Sequence, residues 1–186
     1  MERVIGRLLR GARGRDRHLA WNAPALLNAP ETIVLASPAF GDGQPMPTRH
    51  AGPGVGDNLS PPLSWSGVPA AAAELVLIVE DPDAPLPRPA VHLIATGIAP
   101  ARTAFAEGAL GTGATDVRLG RGLFGRRGYA GPRPVLGHGP HRYFFQIMAL
   151  DQPLALGGAG DRAALLAAAA GHVLARGQLI GTYERR

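Results

Sequence analysis

The chain has no cysteine and no lysine among its 186 residues, and aromatic residues make up only 5% of it. The missing cysteine excludes disulfide bonds, thiolate metal sites and a cysteine nucleophile. No apolar run approaches the roughly 20 residues that a membrane-spanning helix needs. The basic N-terminus lacks the apolar core and the cleavage site of a secretory signal. We therefore expect a soluble, unexported protein with a cytoplasmic location.

All 19 basic residues are arginine, and they are unevenly distributed. Six of them fall in residues 1–18 against Glu2 and Asp16, so this segment carries most of the formal net charge of +5. The rest of the chain is nearly neutral, which argues against a nucleic-acid-binding face. The helical spacing of Val4 and Leu8 favours a tail or a short docking helix, with a membrane or nucleic-acid contact as the alternative.

The 26 glycines and 18 prolines favour many turns and short strands over a helical bundle. We expect residues 1–30 to be an N-terminal extension and residues 31–186 to form a mainly β domain, a β-sandwich with one C-terminal helix. The predicted strands are 32–36, 63–66, 74–80, 91–96, 142–150 and 179–183. The predicted helix spans 161–176, N-capped by Asp161 and ended by Gly177.

Two short runs, DPDAP from residue 81 and GHGPHRY from residue 137, carry the chemistry of the chain. Side chains two residues apart on an extended backbone share a face. Asp81 with Asp83, and His141 with Tyr143, are therefore expected to point into a common cavity.

A third element of the site is His92, in the strand that follows the first run. Alternation along that strand predicts that His92 shares a face with Ile94 and Thr96. The candidate site then gathers Asp81, Asp83, His92, His138, His141 and Tyr143, with Gly139 and Pro140 as part of its wall.

These residue types suit a protonatable oxyanion such as phosphate or a phosphomonoester. Histidine and tyrosine donate hydrogen bonds to an anion, and a carboxylate can orient an imidazole or accept a proton from the ligand. Simpler interpretations remain open, because an Asp-Pro pair often only starts a turn and a strand histidine can be a hydrogen-bonded core residue. A metal site of Asp81, His92 and His141 is a further alternative, although its spacing matches no strong zinc pattern.

Four sequence blocks match a known family in their order and spacing. They are NLSPPLSW from Asn58, DPDAP from Asp81, the single His92, and GPHRY from Gly139. Residues 31–184 resemble the phosphatidylethanolamine-binding protein family in its bacterial branch, related to the Raf kinase inhibitor proteins. The resemblance implies a large antiparallel sheet packed on a smaller one. It also implies an anion pocket for phosphate, acetate, cacodylate or phospholipid head groups.

By position, the family's pocket residues fall on Asp81, His92, His141 and Tyr143, with Gly139 and Pro140 near the rim. Pro82 and Pro85 resemble prolines that shape the pocket, and the family allows a cis bond at one of them. The chain departs from the pattern at Ala90 and Val91, where many relatives carry an aromatic residue. It also lacks the long C-terminal helix of animal members, since it is predicted to end on a strand.

The leading hypothesis is a non-enzymatic binding module for a small anionic or phosphorylated ligand, with no cofactor. The resemblance makes a protein-interaction regulator of a kinase pathway or a serine protease the runner-up, with the arginine-rich residues 120–128 as its surface. A cryptic hydrolase, with His141 and Asp81 as base and orienter, ranks third because no nucleophile lies beside them. Bacterial relatives also suggest a homodimer, in which residues 1–30 would supply an exchanged arm.

Overall fold

The computed structural model describes residues 2–24, 26–156 and 160–185. The strands of these residues are β1 (Val34–Ala36), β2 (Gln44–Pro45), β3 (Leu63–Ser66), β4 (Glu74–Asp81), β5 (Ala90–Ile98), β6 (Ala104–Phe105), β7 (Arg118–Leu119), β8 (His141–Leu150) and β9 (Val173–Tyr183). They are accompanied by α1 (Glu2–Leu8) and α2 (Arg162–Ala169). One sheet has six strands in the order β2-β9-β8-β4-β5-β7, and the other has three in the order β1-β3-β6.

The strand β4 lies at the centre of the large sheet and is buried along its whole length. It pairs antiparallel with β5 and β8, and both of its faces are apolar, as its unbroken hydrophobic sequence predicts. One face packs on the small sheet through a core that includes Leu35, Trp65, Leu77 and Phe145. The other face is covered by α2 and the N-terminal region, with Ala20, Leu26, Ile78 and Leu165. The predicted β-sandwich is confirmed.

The C-terminal helix is shorter than the sequence predicts. Asp161 caps it as expected, by accepting a hydrogen bond from the backbone N–H of Ala164 at 2.9 Å, but the helix ends at Ala169. Gly171, with φ of +81°, turns the chain into β9, which pairs with β8 over its whole length. Gly177 does not end the helix as predicted, because it lies inside β9. Sheet pairing overrides the helix propensity of the alanine-rich run. No helix of the described residues is long and apolar enough to cross a membrane.

Residues 2–24, here called the N-terminal arm, pack against the domain of their own chain. The first helix docks through Gly6, whose missing side chain lets its backbone approach the carbonyl of Leu136. Val4 and Leu8 stay 60% and 80% exposed, so the predicted apolar helix face does not make the contact. Further along, the guanidinium of Arg176 lies 4.1 Å from the ring centroid of Trp21.

Candidate functional site

The strand order explains why the sequence motifs meet. The end of β4 lies between the start of β5 and the start of β8, since both neighbours run antiparallel to it. Asp81 pairs with Ala90 on one side, and the register of β4 with β8 continues toward Tyr143 on the other. Side chains from three adjacent strands are thereby gathered at one edge of the sheet.

A β-bulge in β5 turns His92 toward these side chains. The regular alternation of side chains along the strand, which the sequence predicts, is interrupted there. Val79 pairs with Leu93 but Glu80 pairs with Val91, so His92 is the extra residue of β5. Its ring contacts Tyr143 edge to face, with centroids 5.1 Å apart. The prediction that His92 shares a face with Ile94 is wrong, because the bulge turns the imidazole to the opposite side of the sheet.

A cavity of about 300 Å³ opens at this edge of the sheet, at the small end of the range typical of ligand pockets. Five of the predicted site residues line it: Asp81, Pro85, His92, His141 and Tyr143. Asp83, Gly139 and Pro140 do not line it. No cis peptide bond occurs in the described residues, so the bonds before Pro82 and Pro85 are trans.

Asp81 is bonded from both sides at the floor of the cavity. Its Oδ1 accepts hydrogen bonds from the backbone N–H groups of Asp83 and Ala84, at 2.7 and 3.0 Å. Its Oδ2 lies 2.7 Å from Nδ1 of His141. The Nε2 of His141 in turn lies 2.7 Å from Nδ1 of His138, so both ring nitrogens of His141 are engaged within the protein.

His92 presents a free nitrogen to the site. Its Nδ1 lies 2.5 Å from the carbonyl oxygen of Ala130, an acceptor, so Nδ1 carries the hydrogen. Its Nε2 is 4.0 Å from Oδ2 of Asp81, beyond hydrogen-bonding distance. Burial lowers the pKa of His92, although the nearby Asp81 carboxylate partly opposes this shift. The ring is therefore neutral at pH 7, and Nε2 offers a lone pair.

The hydroxyl of Tyr143 is buried and has no hydrogen-bond partner in the described residues. Burial raises the pKa of Tyr143 well above its usual value, so the hydroxyl keeps its proton. A buried, protonated hydroxyl without a partner beside a cavity is available to a ligand.

Asp83 serves a different purpose from Asp81. The turn at Pro82 directs its carboxylate away from the cavity, where it accepts hydrogen bonds from Arg142 through Nε at 2.8 Å and Nη2 at 2.9 Å. The backbone N–H of Gly14 in the N-terminal arm donates to the same carboxylate. Burial raises the pKa of Asp83, but the bonds and charge of Arg142 outweigh this and lower it overall.

Other lining residues were not predicted as part of a pocket. Arg126 and Arg133 lie at the cavity wall, together with Phe124, which is 86% exposed and has a left-handed φ of 55°. The sequence marked residues 120–128 only as a surface. Asn58 shapes a further part of the wall, because its side chain accepts a hydrogen bond from the backbone N–H of Gly131 at 2.8 Å.

The alternative of a metal site finds little support in the geometry. In the part of the chain that the structure describes, no three His, Asp or Glu side chains are grouped so as to hold a metal ion. His141, one of the suggested ligands, has both nitrogens committed to Asp81 and His138.

Comparisons with known proteins agree with this architecture. The family model of phosphatidylethanolamine-binding protein matches residues 36–184. A Mycobacterium tuberculosis protein named as a candidate lipoprotein, LppC, is 43% identical over 158 residues, which is 84% of this chain and 74% of that protein.

Two solved structures superpose on the chain. CT736 of Chlamydia trachomatis, described as a candidate homologue of phosphatidylethanolamine-binding protein, has a TM-score of 0.75 and 37% identity over 84% of this chain and 99% of its own. YbcL of E. coli, described as a member of the mammalian family, has a TM-score of 0.77 and 28% identity over 83% of this chain and 99% of its own. The chain belongs to the phosphatidylethanolamine-binding protein family.

Proposed function

We propose that the chain binds a small protonated oxyanion, such as phosphate or a phosphomonoester, in the cavity at the end of β4. The observation that carries the proposal is the Tyr143 hydroxyl, which is buried, holds its proton and has no partner among the described residues. Leaving such a group unpaired costs about 1–3 kcal/mol, so a ligand that accepts its hydrogen bond gains this amount.

The neighbouring groups restrict the ligand further. The free Nε2 of His92 is an acceptor at pH 7, so the ligand must bring a donor as well as an acceptor. A phosphomonoester near its second pKa of about 6 carries both an O–H group and charged oxygens. The guanidinium groups of Arg126 and Arg133 at the wall supply positive charge for it.

The same geometry argues against His141 as the base of a hydrolase. A hydrolase would need a base that is free to take a proton from water or from a nucleophile. His141 holds Asp81 with one nitrogen and His138 with the other, so it has no lone pair for that purpose. A hydrolase acting through His141 would turn over p-nitrophenyl phosphate or p-nitrophenyl acetate in a His141-dependent manner, and we expect no such turnover.

Replacing Tyr143 by phenylalanine is expected to weaken phosphate binding roughly 10- to 100-fold, because a hydrogen bond to a charged group contributes about 1.5–3 kcal/mol. The melting temperature should stay the same or rise slightly, since an unpaired buried hydroxyl is removed. A ¹H–¹⁵N NMR titration with phosphate and O-phosphorylethanolamine measures the affinity and locates the site.

The matched control is Tyr183→Phe, whose side chain lines a different groove although its backbone pairs with His141. It should bind phosphate like the wild type. Equal affinities for the Tyr143 and Tyr183 variants, or shifts that avoid the cavity, would contradict the proposal.

A second candidate function is protein-interaction regulation, and the arrangement of the arginines favours it. Seven arginines of residues 31–185 form ion pairs with acidic side chains: Arg49, Arg102, Arg118, Arg142, Arg162, Arg176 and Arg185. The remaining five are exposed and have no described partner: Arg88, Arg121, Arg126, Arg127 and Arg133. Four of them line the cavity or its adjoining groove, and Arg127 forms a β-bridge with one of these, Arg121. Such a cluster of uncompensated charge suits an acidic or phosphorylated partner protein.

The two candidate functions can be distinguished by replacing arginines that lie outside the cavity. We expect the double variant of Arg121 and Arg127 to alanine to bind an acidic phosphoserine peptide roughly tenfold more weakly at low salt, with unchanged affinity for inorganic phosphate. The control pair is Arg49 and Arg102, which are already paired with Glu107 and Asp116. Fluorescence anisotropy with a labelled peptide measures the difference, and equal losses in both pairs would argue against a specific surface.

The cytoplasmic location and the homodimer stay predictions. The relative LppC is named as a candidate lipoprotein.

A further inference from the structure

A buried chain of hydrogen bonds leads from the cavity to the N-terminal arm. Asp81 Oδ2 and His141 Nδ1 are 2.7 Å apart, and His141 Nε2 and His138 Nδ1 are 2.7 Å apart. The Nε2 of His138 then lies 2.8 Å from the carbonyl oxygen of Leu9, a residue of the arm. Both rings are almost completely buried.

Counting hydrogens determines how this chain is protonated. The carbonyl of Leu9 can only accept, so Nε2 of His138 must carry a hydrogen. Three hydrogen bonds need three hydrogens, whereas two neutral imidazoles supply only two. A third proton is therefore shared by the two rings and Asp81, and it balances the charge of the carboxylate.

The third proton lies toward the cavity. Burial lowers the pKa of His138, and the charge of Arg13 in the arm acts in the same direction, while Leu9 and Asp81 oppose it. His138 is then neutral, with its hydrogen on Nε2 and its Nδ1 accepting from His141. His141 therefore carries a hydrogen on Nε2, and the third proton lies in the bond between its Nδ1 and Oδ2 of Asp81.

Several further contacts hold the N-terminal arm in place around this chain of hydrogen bonds. Its contacts reach both sequence motifs of the site. Two of them reach backbone carbonyls of the second motif: Arg10 Nε donates to Gly137 at 3.0 Å, and Arg13 donates to Pro140. The backbone N–H of Arg15 donates to the Pro82 carbonyl at 2.9 Å, and Asp16 pairs with Arg142 at 2.7 Å. The carbonyl of Leu9 is thereby held in one position relative to His138.

We propose that the N-terminal arm is part of the binding site, because it fixes through His138 which nitrogens of His141 carry protons. His138 is a positioning residue that does not itself line the cavity. A ligand stabilised by this arrangement of protons also stabilises the docked arm, and this coupling is reciprocal. The effect on affinity rests on the proposed function, whereas the proton arrangement exists without any ligand.

Two glycines of the arm provide matched variants in the full-length protein. A Cβ atom at Gly6 would lie 2.1 Å from the carbonyl oxygen of Leu136, whereas a Cβ atom at Gly11 would meet nothing within 4 Å. Alanine favours the helical conformation of α1, so Gly6→Ala should displace the arm without weakening the helix itself. Gly11→Ala should leave the arm docked.

The first measurement is a long-range ¹H–¹⁵N spectrum of the histidine rings at pH 7 in the absence of ligand. The wild type and Gly11→Ala should show His138 with its hydrogen on Nε2 and His141 with a hydrogen on Nε2. In Gly6→Ala, amide hydrogen exchange should show a released arm and His138 should become a mixture of tautomers. A released arm with an unchanged histidine spectrum would overturn the proposal.

The second measurement is the affinity for inorganic phosphate. Gly6→Ala should bind roughly tenfold more weakly than Gly11→Ala, the size expected for a lost hydrogen bond to a charged group. His138→Phe removes the ring nitrogens but leaves the other arm contacts in place, and it should show a similar loss. Unchanged affinity in both variants would overturn the coupling.

The outcomes distinguish this inference from the proposed function. If the wild type binds no phosphate, the proposed function fails. An arm-dependent histidine spectrum still supports the assigned role of the arm in that case, and an arm-independent spectrum overturns it.

Discussion

Replacing Asp81 by alanine is expected to lower the free energy of unfolding by roughly 3–5 kcal/mol, the range for breaking a buried charged pair by removing one partner. The side chain is almost completely buried and accepts three hydrogen bonds. Alanine would leave the N–H groups of Asp83 and Ala84 and the Nδ1 hydrogen of His141 without partners. Urea denaturation measures the loss.

Asparagine at position 81 separates shape from charge. Its side-chain oxygen can still accept from the backbone N–H groups of Asp83 and Ala84. Its NH₂ group can donate a hydrogen bond to Nδ1 of His141. His141 then carries its own hydrogen on Nε2 and donates a hydrogen bond to Nδ1 of His138. Every bond of the chain is satisfied with two neutral rings, so Asp81→Asn should cost no more than about 1 kcal/mol.

The two Asp81 variants are expected to agree in function although they differ in stability. Both lack the carboxylate at the cavity floor, which can accept a hydrogen bond from the O–H group of a protonated oxyanion, so phosphate affinity should fall in each. Equal destabilisation by alanine and asparagine would contradict the hydrogen-bond account. Unchanged phosphate affinity in the asparagine variant would contradict this role of the carboxylate in binding.

The sequence predicts those parts of the site that depend on regular strands. His141 and Tyr143 come together because β8 is an uninterrupted strand from its first residue, so two-residue spacing holds. Asp81 joins them because the apolar run 75–79 makes β4 a continuous strand, which ends before Pro82. The family resemblance adds His92, which spacing alone placed on the wrong face.

The parts that the sequence could not predict depend on irregular or backbone features. The bulge at His92 arises from the pairing of β5 with β4, which no local pattern specifies. Asp83 diverges from Asp81 because the turn at Pro82 breaks the alternation of a strand. The partner of His138 is the carbonyl of Leu9, and since every residue carries a carbonyl, no sequence signal marks this one.

The fold shows the same division. The long buried strands and the small sheet follow from hydrophobic runs and turn residues. The prediction for the end of α2 is wrong because it takes Gly177 as the terminating glycine, whereas Gly171, with φ of +81°, ends the helix. Residues 173–176 then pair with the edge of β8, where the buried contacts of Arg176 stabilise the strand.

Lowering the pH is expected to reduce the stability of the fold through Asp83. The difference in the free energy of unfolding between the wild type and Asp83→Asn isolates this effect. The folded-state pKa of Asp83 is lowered, so the folded protein holds the ionised form more strongly than the unfolded chain does. Its contribution is complete above the unfolded pKa of about 3.9 and is lost as the pH falls through the lower folded pKa.

Urea denaturation of both proteins between pH 7 and pH 3 measures this contribution. At pH 7 we expect the wild type to be more stable than Asp83→Asn by roughly 1.5–3 kcal/mol, as for hydrogen bonds to a charged group. The difference should stay constant down to about pH 5 and shrink below it, because the other carboxylates are shared by both proteins and cancel.

The matched control for this prediction is Asp16→Asn, since Asp16 also pairs with Arg142 but is 42% exposed. Solvent screening should limit its effect to about 1 kcal/mol or less. Amide exchange of Gly14 in the arm should quicken in the Asp83 variant, because the carboxylate that accepts its N–H is altered. A stability difference between the wild type and Asp83→Asn that is independent of pH would mean that Arg142 does not hold this carboxylate in its ionised form.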